Sequence, residues 1–145
     1  MLRGKAVWIT LLLVVASTLG IAQAQRDTAK DIEGTWVVAS AERELDAYPE
    51  LEGATVTFTG KTFRIERLAG RSTWFGNVMV DYGKGTIDFD NQAKLLIPPV
   101  FGTKWEGIFR WDGDTLEICT AEGHDARPTE FLSGYDLTLM KLRRK

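Results

Sequence analysis

The chain has little of what most small folds rely on. Its 145 residues hold one cysteine, Cys119, and one histidine, His124. A lone cysteine excludes an internal disulfide, so packing must hold the fold. The same scarcity argues against a metal centre. One Cys and one His without C-x-x-C or H-x-x-x-H spacing make a poor zinc set, even with Glu122, Asp125 and Glu130 close by. Net charge is only −2, so nothing electrostatic draws the chain to nucleic acid. Phosphate-loop and dinucleotide motifs are missing. So is any amphipathic helical stretch of ~10–12 residues.

The one long apolar run stands at the start. Arg3 and Lys5 precede the uncharged Ala6–Leu19, and Ala22-Gln23-Ala24 offers small residues for cleavage. This order predicts a secretory signal peptide over residues 1–24, cleaved before Gln25, with an uncleaved anchor as the alternative. The expected product is one exported domain, residues 25–145, periplasmic, in the cell envelope or extracellular, without a transmembrane segment. Its basic end, Lys141–Lys145, reads as a solvated strand terminus.

From Gly34 on, short β-rich runs alternate with turn residues. Candidate strands are Thr35–Glu42, Thr55–Thr59, Thr62–Arg67, Ser72–Asp81, Gly85–Phe89, Gly107–Trp111, Thr115–Thr120 and Tyr135–Leu142. Gly60-Lys61 and Asp112-Gly113 supply tight hairpin turns, and Tyr82–Gly85 a third, so consecutive strands pair antiparallel. Apolar residues alternate with polar ones: Val56 and Phe58, Phe63 and Ile65, Ile87 and Phe89, Phe109 and Trp111, Leu116 and Ile118. Each strand thus has one buried face. Eight such strands must hide their edges, which predicts an all-β, eight-stranded antiparallel barrel; a two-sheet β-sandwich is the alternative. The long connections Arg43–Ala54 and Asn91–Glu106, the latter holding Pro98 and Pro99, are the expected rim of a mouth.

Two resemblances add to this. Gly34-Thr35-Trp36 on the first strand resembles the lipocalin G-x-W motif. That likeness implies a tryptophan plugging one barrel end, with a basic residue of the last strand, Arg143 or Arg144, packed across it. GTWVVASAERE, VTFTGKTFRI, TIDFD, GIFRWDGDTLEIC and ARPTEF, in that order, resemble a family of small uncharacterised planctomycete domains over most of residues 32–144. The match is specific in the DGDTLEIC…RPTEF block and loose in residues 68–84 and 91–106. It implies an exported lipocalin-like domain and carries over no catalytic residue.

The candidate sites follow. Cys119 and His124 suggest a thiol–imidazole pair, but Cys119 is in phase with Thr115 and Glu117 and has no helix N-terminus to activate it. Asp88 and Asp90 share a face, read as solvated rather than as a calcium site. Arg127, Pro128, Glu130 and Phe131 read as a proline-fixed latch: Arg127 pairs with Glu130 across the turn, and Phe131 folds onto a barrel end. Trp74, Phe75, Met79, Phe101, Trp105, Phe109 and Trp111 form an aromatic-rich set that either lines a pocket or fills the barrel. The leading expectation is non-catalytic binding of a small apolar or amphipathic ligand in the barrel mouth, without a cofactor. An enclosed ligand needs a cavity above ~300 Å³. An envelope interaction module with a filled barrel is second, and an enzyme third.

Overall fold

The computed structural model describes residues 30–68, 73–92, 104–122 and 126–145. The expected signal peptide, Phe101, His124 and the Pro98-Pro99 pair lie outside them. Among the described residues, alternation and turn chemistry produce nine strands: β1 (Gly34–Arg43), β2 (Asp46–Ala47), β3 (Thr55–Thr59), β4 (Thr62–Glu66), β5 (Trp74–Asp81), β6 (Thr86–Asn91), β7 (Lys104–Asp112), β8 (Thr115–Ala121) and β9 (Leu137–Arg144). From β3 to β9 every strand pairs antiparallel with the next. β1 pairs with β3 along Gly34–Val37 and with β9 along Trp36–Arg43. That last pairing closes the sheet into a lipocalin-like barrel of eight strands. β2 is a two-residue addition on the end of β1. A two-sheet sandwich is ruled out, because one continuous ladder runs round the molecule.

The hairpins are tight. Thr59 pairs with Thr62 around Gly60-Lys61, and Asp112 with Thr115 around Gly113-Asp114. The second turn is thus shifted by one from the expected Asp112-Gly113. In both, glycine comes first with φ of 58°, a value that disfavours any residue with a Cβ. A bulge between Val38 and Ser40 interrupts β1 against β9. One extra residue there flips the alternation. Trp36 and Val38 face inward before it, Ala41 and Arg43 after it.

Aromatic rings fill the interior. Phe63 meets Phe89 edge-on at 4.9 Å between centroids, and Phe58 stands 6.2 Å from Phe89. Val56, Ile65, Ile87, Leu116, Ile118 and Leu142 pack around them, almost wholly buried. Each such side chain contributes about 1.5–3 kcal/mol by leaving water.

The two ends differ. The turns at 60–61, 82–85 and 113–114 gather at the end where β1 begins and β9 finishes. Trp36, fully buried, plugs this closed end, donating its indole N–H to the Ile32 carbonyl at 2.8 Å. Of the two candidate arginines, Arg144 covers it, with the guanidinium carbon 4.1 Å from the ring centroid. Arg143 pairs opposite Val37 and is exposed. Arg144 also donates to the carbonyls of Asp31 and Glu33. Gly34 (φ 111°) passes so close beneath that a Cβ would stand 2.8 Å from the Arg144 Nη1. The long connections all leave the opposite, open end.

Candidate functional site

The strap from residue 126 to 136 links β8 to β9 and lies on the outer wall. Arg127 reaches back to β6, donating to both carboxylate oxygens of Asp88 at 2.6 and 3.1 Å and to the Gly107 carbonyl at 2.7 Å. The expected partner Glu130 is exposed instead. Asp88 is accordingly an anchor rather than a solvated carboxylate or a calcium ligand. Phe131 does not cap a barrel end. It lies against the wall under the Arg110 guanidinium, 4.2 Å from the ring centroid. Pro128 is buried, and Ser133 Oγ accepts a hydrogen bond from the Leu45 amide at 3.1 Å.

This strap covers the outer face of β8. Cys119 is fully buried and donates its thiol to the Leu132 carbonyl at 3.4 Å. Burial pushes that thiol up, away from the thiolate a nucleophile needs. Glu117 beside it is only 3% exposed. Burial alone would raise its carboxyl, but the hydrogen bonds and charges of Arg110 and Lys141 outweigh it and hold the group below the usual range. Among the described residues no group of three or more His, Cys, Asp or Glu is placed to hold a metal.

The six described residues of the aromatic-rich set divide into separate locations. Trp111 and Phe109 lie deep, toward the closed end: Trp111 is 5.7 Å from Trp36, and Phe109 meets Tyr82 edge-on at 5.7 Å. Both are filling. Phe75 and Met79 point outward, 43% and 62% exposed, because they alternate with the inward Trp74, Gly76 and Val78. They do not line the barrel. Among the described members, only Trp74 and Trp105 reach the open end, where their rings meet edge-on at 5.3 Å.

These two indoles, with Ile65, Phe89, Met140 and Leu51, wall a hollow of about 10 Å³ whose other sides are Thr120, Thr138 and Glu122. That is the room of about one water, far below the volume of an enclosed ligand. Leu51 comes from the connection expected to be a gate. That connection folds inward through hydrogen bonds from the Leu51 amide to Tyr48 and from the Ala54 amide to Leu51, so it plugs the mouth in part.

Of the polar side of the hollow, the sequence draws attention to Glu122 alone, and then as a candidate metal ligand; the two threonines are not singled out. Thr120 and Thr138 stand opposite each other on β8 and β9, at inward positions where Leu116, Ile118, Met140 and Leu142 are otherwise apolar. Thr138 is 3% exposed, and its hydroxyl finds no protein hydrogen-bond partner among the described residues. Glu122 extends β8 into the rim, where Arg43 binds it at 3.2 Å and Asp136 at 3.4 Å. Burial pushes the Glu122 carboxyl up; the Arg43 charge opposes that, and Asp136 adds to it. Arg67, just past β4, lays its guanidinium carbon 4.2 Å from the Trp74 ring centroid. The signal available was a polar residue breaking an apolar alternation, together with the β1 bulge that turns Arg43 inward. Comparison with protein-family models, curated proteins and solved structures finds no match for this chain.

Proposed function

We propose that the chain is an exported binding domain that holds a small amphipathic molecule at the open end of its barrel. One polar group of the ligand enters the hollow beside Thr120, Thr138 and Glu122, while its apolar body lies outside, against Trp74 and Trp105. The observation that carries this reading is the buried Thr138 hydroxyl. Leaving such a group without a partner costs about 1–3 kcal/mol, and a bound polar atom would recover it. A mostly apolar wall with a few convergent polar groups is also the usual make-up of ligand sites. Export in this reading rests on the charge, apolar run and A-x-A order of residues 1–24. Native mass spectrometry of the protein purified without denaturant tests it. A small molecule retained by the wild type and lost on Thr138→Val is expected, and retention unchanged by that substitution refutes the site.

A second reading, an interaction module working from its outer surface, is favoured by the filled interior and by Phe75 and Met79 standing exposed on the wall. A mouth blocked by Leu51→Trp would leave that function intact.

A further inference from the structure

We propose that the mouth selects an amine: the charged head of the ligand replaces the Arg67 guanidinium on the face of Trp74, beside Glu122. This inference rests on the mouth-binding reading above and adds the chemical class of the ligand.

Four observations converge on it. First, the aromatic face at the rim already holds a cation, since Arg67 stacks over Trp74 at 4.2 Å. The negative face of an indole favours any well-placed ammonium in the same way. Trp105, edge-on to Trp74, forms a corner with it rather than a flat wall. Second, two carboxylates share one guanidinium at the rim: Arg43 serves both Glu122 and Asp136. One guanidinium against two carboxylates leaves this group with one negative charge in excess, which a ligand cation would balance. Third, Thr138 lines the hollow, and its buried hydroxyl is an acceptor without a protein partner among the described residues. An ammonium brings three donors, enough for this hydroxyl and for Glu122 together. Fourth, burial leaves the Glu122 carboxyl poorly solvated when ionised, and a cation would relieve that.

An anionic head group fits the same place poorly. It would enter beside Glu122, and Arg43, the cation nearest that carboxylate, is already engaged by two acids. The small hollow also limits the buried part to the head group, so the body of the ligand remains at the rim, where tryptophan emission reports on it.

The test is a titration of three probes with one phenyl body and different heads: phenethylamine, 2-phenylethanol and 3-phenylpropionate. Binding is followed by tryptophan fluorescence and calorimetry near neutral pH. The amine is expected to bind saturably and roughly tenfold tighter than the alcohol. Glu122→Gln should weaken the amine roughly five- to tenfold and leave the alcohol unchanged. Asp136→Asn provides the same readout should the first variant fold poorly. Arg67→Ala, which clears the Trp74 face, should strengthen the amine. Alcohol or carboxylate binding as tightly as the amine overturns the amine inference and leaves the mouth reading standing. Weaker amine binding by Arg67→Ala overturns the displacement. The absence of saturable binding by all three probes overturns both.

Discussion

Replacing Thr138 by valine changes one hydroxyl to a methyl of nearly the same shape, on a strand that accepts either β-branched residue. In most buried positions this exchange is destabilising, because a made hydrogen bond is lost. Here the hydroxyl has no protein partner among the described residues, so the sign reverses. Removing an unsatisfied buried polar group recovers about 1–3 kcal/mol, and burying the new methyl adds up to ~0.8 kcal/mol. The hollow of about 10 Å³ lies at the threshold for one water, which would return part of the first term. A net gain of about 1 kcal/mol is therefore expected, or about 4 °C in Tm for a domain of this size. Urea unfolding followed through the tryptophans measures it, with an unchanged slope showing that the same surface is exposed. A loss of 1 kcal/mol or more at constant slope refutes the reasoning, because it would mean that the hydroxyl makes a real bond in the folded state. The gain in stability should accompany loss of ligand, a trade between activity and stability at one atom.

Three further outcomes are expected. Glu117 is held low in the folded state, so it stabilises fully above the unfolded value of ~4.3 and the contribution is lost as pH falls through its folded value. Glu117→Gln should cost about 1–3 kcal/mol at neutral pH and remove this acid limb of the stability profile. Glu122 has the opposite sign. Its raised carboxyl stabilises below ~4.3 and loses that contribution as pH rises through the folded value, so Glu122→Gln should flatten this decline in pH-dependent urea melts. Arg144→Ala removes the cation over Trp36 and the donors to Asp31 and Glu33, and should lower stability by about 1–2 kcal/mol, with a red-shifted tryptophan emission as water reaches the closed end.

The barrel was legible because alternation and glycine turns are local. Val56, Phe58, Phe63 and Ile65 declare a face within five residues, and the Gly60-Lys61 turn declares the pairing. The site was not legible, for three physical reasons. Thr120 and Thr138 look like ordinary outward polar residues until the strand phase is fixed over their full length. Arg43 would face outward by counting from Trp36, and only the bulge after Val38 turns it in. The partner of Arg127 stands 39 residues away in sequence, where no spacing rule reaches. The strap also conceals the outer face of β8, which makes Glu117 and Cys119 buried at positions that alternation assigns to solvent.

Closure between β1 and β9 sets the order in which this chain can become a protein. The first strand has half of its ladder completed by residues 137–144, which are made after every other strand described. Until they arrive, β1 and β8 both present open edges, which are templates for pairing with other chains. Such long-range pairing also makes folding slow compared with helical domains of equal length. The nascent chain therefore passes through a window in which its core strands exist but the cylinder does not. The polypeptide is most vulnerable to aggregation there, and deletion of β9 alone, residues 137–144, would make that vulnerability permanent.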